Sequence, residues 1–206
     1  MEISTIESYL NAIDSKSSTP GGGSVAALVG ELGVCLARMY GHLSLNTKAF
    51  IAQDEQDKGI FIEHMNILEK ARIEIHQFIS EDMLVYEAFC VAYKDQSNER
   101  ERNIQRATYR AMDVPLKCMR VSLQVMLSCA IMLKLGNKRA ISDCAIACVL
   151  CHAAIESSYL NVLINLVSYK NEEENKKTLI EIDEIRKKSE QIKEECIKVA
   201  IEVIKG

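Results

Sequence analysis

Only two prolines, Pro20 and Pro115, occur in 206 residues, and that scarcity constrains the fold more than any other feature. Proline removes a backbone donor and breaks helix interiors, so a chain nearly free of it can sustain long helices. Glycine interrupts little more, because 3 of the 9 glycines are adjacent, at Gly21, Gly22 and Gly23. No segment keeps the period-two alternation of a strand, and no repeat of solenoid length is present. The chain therefore reads as all-α. Residues 1–206 form one domain, a bundle of about six helices whose long antiparallel neighbours are joined by short turns.

Local patterns place the helices. Residues 3–14 predict a short amphipathic helix with Ile3, Ile6, Tyr9, Leu10 and Ile13 on one face. Ser15 to Gly23 is loop by composition. Ser24 suits an N-cap for a helix running to about Leu45. That helix carries Ala26, Ala27, Gly30, Gly33 and Ala37, a pattern for close helix packing. Residues 55–94 predict a helix broken near Ser80. A second long helix spans 99–135, bent at Pro115 and ended by Gly136-Asn137. Ser142-Asp143 should cap a helix reaching about Tyr169. The last helix, 176–205, has one apolar stripe that includes Leu179, Ile182, Ile185 and Ile192.

Aromatic residues make up 5% of the chain and Trp is absent, so the core must be aliphatic. The net charge of -4 and the lack of a basic tract argue against a nucleic-acid partner. Charged residues interrupt the apolar runs before about 18 positions, so no membrane span is expected. Met1-Glu2-Ile3-Ser4 does not look like a signal peptide, and the expected location is the cytoplasm. In that reducing setting Cys35, Cys90, Cys118, Cys129, Cys144 and Cys148 read as small buried hydrophobes.

Several groups could carry chemistry. A helix opening after three glycines offers unpaired N–H groups and a positive dipole end to an anion or a polar ligand edge. The same run equally describes a capped turn. Asp82 lies among apolar neighbours, from Phe78 to Tyr86. If buried, its carboxyl would titrate nearer neutrality, as a general acid/base requires; if exposed, it is an ordinary helix acid. Asn161 and Asn165 are one helical turn apart and share a face, so they either tie helices together or read a ligand edge. Cys148-Val149-Leu150-Cys151-His152 matches a haem-attachment pattern by letter only, since it lies inside a helical segment. Core packing explains it better than a metal site on one helix.

Pro20-Gly21-Gly22-Gly23-Ser24-Val25-Ala26-Ala27, with Gly30 and Leu32-Gly33, resembles the opening signature of a known enzyme family. It is the formiminotetrahydrofolate cyclodeaminase and methenyltetrahydrofolate cyclohydrolase family. Thr47-Lys48, Glu81-Asp82, Val114-Pro115-Leu116, Gly136-Asn137, Ser142-Asp143 and Asn161 to Leu166 follow in matching order. The resemblance implies an all-helical homodimer with a folate substrate in a cleft and no cofactor or metal ion. Carried over by position, Asp82 is the acid/base residue. Gly21, Gly22, Gly23, Ser24, Lys48, Asn137, Asp143, Asn161 and Asn165 shape the folate site. Lys48 or the pair Lys138-Arg139 could hold the glutamate tail. Ser80, Glu31 and the pair Lys138-Arg139 differ from the family pattern. The implied reaction is cyclodeamination of 5-formiminotetrahydrofolate to 5,10-methenyltetrahydrofolate and ammonia. The alternatives are methenyltetrahydrofolate cyclohydrolase and a folate-binding helical module without turnover.

Overall fold

The computed structural model describes residues 5–206. Ile3 and the beginning of the predicted first helix lie outside the described residues. Seven α-helices account for almost all of the remainder: α1 (Ile6–Ile13), α2 (Gly22–Leu45), α3 (Lys48–Ile51), α4 (Glu55–Lys94), α5 (Arg100–Leu135), α6 (Ile141–Leu166) and α7 (Glu172–Lys205). A short 3-10 turn, Lys138–Ala140, joins α5 to α6. α2, α4, α5 and α6 pack around one core, and α7 lies across α5 and α6.

Heptad spacing builds the core. Phe61, Leu68 and Ile75 on α4 are fully buried at intervals of seven, as are Met112, Met119 and Met126 on α5. That spacing keeps one seam facing a partner helix along its length. α2 contributes small residues instead. A methyl group added at Gly33 would strike the Cys151 thiol and the backbone of α6, so these two helices approach closely because glycine stands there.

Four local expectations change. α4 runs without a break through Ser80, whose hydroxyl donates to the carbonyl of Gln77. Ser80 itself is exposed on the surface of this continuous helix. α2 begins at Gly22 with Gly21 as its N-cap, so Ser24 is inside the first turn. α6 begins at Ile141, and Asn137 caps the preceding 3-10 turn with its side chain. Cys35 and Cys90 are only partly buried, whereas the other six cysteines are buried.

Three helical stretches are long and apolar enough to cross a bilayer by length and hydropathy: Gly22–Leu45, Arg100–Leu135 and Lys138–Leu166. They include the helices at the centre of the bundle, which pack on one another. A helix that must contact neighbours on several sides is apolar around most of its circumference, whichever medium surrounds the fold.

Candidate active site

The first turn of α2 and the middle of α4 meet at one point. The Ser24 N–H donates to Asp82 Oδ2 at 2.9 Å. Gly21 has no side chain with which to cap α2, so the Asp82 carboxylate fills that role from another helix. A negative charge there also faces the positive end of the α2 dipole. Gly23 lies directly against the carboxylate, and a side chain at that position would overlap it. From the other side, the Tyr9 hydroxyl of α1 pairs with the fully buried Ser24 Oγ at 2.8 Å.

These groups border a cleft of about 300 Å³ between α2, α4, α5 and α6. Gly21, Gly22, Gly23, Asp82, Asn161 and Asn165 line it together, and Ser24 adjoins it through its bond to Asp82. The two asparagines are held by their amide nitrogens. Asn161 Nδ2 donates to the Ser157 carbonyl at 2.9 Å, and Asn165 Nδ2 donates to the carbonyls of Asn161 and Ala111 at 2.7 and 3.0 Å. Each side chain therefore presents its carbonyl oxygen as the free end, an acceptor for N–H donors on a ligand. Val85, Tyr86, Phe89 and Ile164 supply an apolar wall.

Burial raises the Asp82 pKa above the ordinary 3.8, and the Ser24 N–H partly offsets this by stabilising the anion. A carboxyl so placed can accept a proton and return it within one reaction cycle.

The remaining predicted residues gather elsewhere. α2 is 24 residues long, so its ends are about 36 Å apart. Lys48 is exposed at the start of α3, beyond the far end of α2. Asn137 donates to the Leu43 carbonyl at 3.1 Å and accepts from the Arg139 N–H at 3.0 Å. Asp143 is in the first turn of α6, about 27 Å along that helix from Asn161. Lys138 and Arg139 are exposed at the same far end. A single chain does not bring any of these residues to the Asp82 cleft. The Glu31 carboxylate meets His76 Nδ1 at 3.0 Å, linking α2 to α4.

Sequence reasoning missed Tyr9, Tyr86 and Phe89. The last two were legible, since positions 82, 86 and 89 follow helical spacing. Nothing in the sequence joins Tyr9 to Ser24. A more open groove of about 550 Å³ lies along α4 and α5, but none of the predicted site residues lines it. Cys148 and Cys151 are core residues. His152 bonds Ser189 and lies 2.9 Å from Glu190, linking α6 to α7. Among the described residues no group of three or more His, Cys, Asp or Glu side chains could hold a metal ion.

A sequence profile for formiminotransferase-cyclodeaminase matches residues 5–184, which contain every element of this cleft. The chain belongs to the formiminotransferase-cyclodeaminase family. It is 32% identical over 170 residues to the methenyltetrahydrofolate cyclohydrolase of Methylorubrum extorquens, covering 78% of each chain. It is 27% identical over 168 residues to the formimidoyltransferase-cyclodeaminase of Rattus norvegicus. That match takes in 79% of this chain and 30% of the rat protein. The fold resembles the crystal structure of formiminotetrahydrofolate cyclodeaminase from Thermotoga maritima, with a TM-score of 0.87, 26% identity and 97% of both chains covered. The family match ends at residue 184, so the second half of α7 lies beyond it.

Proposed function

We propose that the chain is a folate one-carbon enzyme that acts as a cyclodeaminase through Asp82. The observation that carries this reading is the partly buried carboxyl of Asp82, fixed by the Ser24 N–H at the mouth of a cleft with two asparagine acceptors. The asparagine oxygens suit the N–H edge of a reduced pterin, and the glycines allow it to lie against the α2 backbone. N10 of the substrate attacks the protonated N5-formimino carbon, and Asp82 takes the N10 proton. The same carboxyl returns that proton to the amino group. The carbon–nitrogen bond then breaks, ammonia leaves, and the positively charged 5,10-methenyl bridge remains. Charge and atoms balance within the cleft, and no step calls for a redox partner.

The second reading is methenyltetrahydrofolate cyclohydrolase, favoured by the match along most of its length to the Methylorubrum extorquens protein. Here Asp82 would take a proton from water as it adds to the methenyl carbon. One spectroscopic experiment separates the readings. With 5-formiminotetrahydrofolate, a cyclodeaminase makes the methenyl absorbance rise. With 5,10-methenyltetrahydrofolate, a cyclohydrolase makes it fall faster than the buffer alone. No change in either case, with folate still bound, would leave a binding module.

A homodimer is part of this proposal. Leu32, Met39 and Leu43 are exposed on one face of α2, together with the half-buried Leu28 and Cys35. Two copies pairing antiparallel along that stripe would set the Lys48–Asn137–Asp143 end of one beside the Asp82 end of the other. Light scattering that finds only a monomer at working concentration would end this part of the proposal.

A further inference from the structure

The α4 wall of the cleft continues beyond its rim. Asp82, Tyr86, Phe89 and Tyr93 follow at intervals of four, three and four, which places them in single file on one helix face. The rings of Phe89 and Tyr93 are stacked, with centroids 6.3 Å apart and planes 26° apart. Past Tyr93 the chain turns, and α5 begins at Arg100. Its guanidinium lies over the Tyr93 ring, 5.0 Å from the centroid, while Nε donates to the Tyr93 carbonyl at 3.2 Å.

Arg100 makes no salt bridge among the described residues. Asp95 and Glu101 are near enough to feel its charge. Both are engaged elsewhere: Asp95 accepts from Ser97 and Asn103, and Glu101 pairs with Lys170 at 2.6 Å. The terminal nitrogens of Arg100 remain available, on a side chain already oriented by stacking.

We propose that this file is a track for the tail of the substrate, with Arg100 as the residue that reads its carboxylate. The inference rests on the folate reading and adds a specificity residue to it. With the pterin beside Asp82, the p-aminobenzoyl ring would lie along Tyr86 and Phe89, whose faces suit an aromatic partner. Asp82 and Tyr93 are eleven residues apart, about 16 Å along the helix. The p-aminobenzoyl ring and the first glutamate together span a comparable length. Arginine suits the far end, because its planar fork meets a carboxylate with two hydrogen bonds and also stacks on tyrosine. Within one chain, Lys48, Lys138 and Arg139 stand at the far end of the bundle from this file. Arg106 and Arg110 line the other groove with Val91 and Ala92, on a different face of α4.

The test compares a tetrahydrofolate substrate with its tetrahydropteroate counterpart, which lacks the glutamate. Arg100→Gln should raise KM for the folate about tenfold, the loss of one charge-assisted contact of about 1.4 kcal/mol. It should leave kcat and the pteroate KM unchanged. Arg100→Lys should recover part of the loss. The unmodified chain gives an independent measure: its KM for the pteroate should exceed that for the folate by a similar factor, and added salt should narrow the gap. Equal KM values for the two substrates, or equal effects of the substitution on both, would overturn the track while leaving the enzyme reading intact. A chain that neither turns over nor binds the folate overturns the folate reading and the track with it.

Discussion

The backbone N–H of Ser24 and the carboxylate of Asp82 are 2.9 Å apart, and Gly23 leaves the space in which they meet. A helix start without a side-chain cap thus acquires one across 58 positions of sequence. Gly23→Ala tests the relationship directly, because the new methyl must push the carboxylate aside. Turnover should fall by about a hundredfold, the usual penalty for displacing a reacting group by an ångström or so. Stability should fall by about 1–3 kcal/mol from overpacking. Methenyl absorbance and a thermal melt measure the two effects. Full turnover in this variant would show that the chemistry does not depend on Asp82 being held where it is.

Asp82→Asn separates chemistry from architecture. The amide can still accept the Ser24 N–H, but it cannot take a proton. Turnover should be lost while folate affinity is retained. The expected effect on stability has the opposite sign to that of most buried polar substitutions. Burial raises the folded-state pKa of Asp82 above 3.8, so the protonated form favours folding. Its contribution is present in full below 3.8 and is lost as pH rises through the raised value. At neutral pH the neutral amide should therefore be no less stable than the wild type. If the carboxylate is the base, the rate of the unmodified chain should rise with pH along a limb displaced above the ordinary aspartate range. A limb centred at the ordinary value would assign that titration to another group.

Tyr9→Phe removes the hydrogen bond from α1 to the buried Ser24 hydroxyl. Tyr9 is the buried residue of α1, while Ile6 and Leu10 face outward at 83% and 57% exposure, so the helix is fastened mainly through this side chain. The variant leaves a buried hydroxyl short of a partner, at a cost of about 1–3 kcal/mol. The loop between α1 and α2 should be cut sooner by a protease, and turnover should fall severalfold as the Ser24 turn loosens. Unchanged proteolysis would mean that α1 is held by something other than Tyr9.

Most of the fold could be read directly from the sequence, because breaker-free segments and apolar spacing are local signals. The long helices from Glu55 and Arg100 match their expected limits within a residue, since turn residues frame them. Ser24, Ser80 and Ser142-Asp143 depart from expectation because polar residues that suggest a cap or a break can equally stand inside a helix: Ser24 lies in the first turn of α2, Ser80 within α4 and Ser142-Asp143 in the first turn of α6. At the site, Gly21–Gly23, Asp82, Asn161 and Asn165 carried enough chemistry to stand out one by one. Their meeting in one cleft depends on how α2, α4 and α6 pack, which no local pattern encodes. Lys48, Asn137 and Asp143 show the converse, for residues in the right sequence order stand at the far end of α2. Tyr9 left no trace, because a tyrosine on a short amphipathic helix has the look of packing.

The closeness of α2 to α6 sets the width of the cleft, and Gly33 sets that closeness. A methyl at this position would meet the Cys151 thiol, the Ala147 carbonyl and the Cys151 amide nitrogen. The thiol can rotate away, but the two backbone groups can move only with the whole of α6. Gly33→Ala should therefore cost about 1–3 kcal/mol. Cys151→Ala, combined with it, should restore only the part due to the thiol, a non-additivity that thermal melts of the single and double variants would reveal. The backbone part should persist and reach the site. α2 carries the glycine turn and α6 carries Asn161 and Asn165, so spreading the two helices moves opposite walls of the cleft apart. KM for the folate substrate should rise in both variants that carry Gly33→Ala and remain near normal in Cys151→Ala alone. Complete rescue by the double variant would place the whole contact in the thiol and free the cleft from any dependence on Gly33.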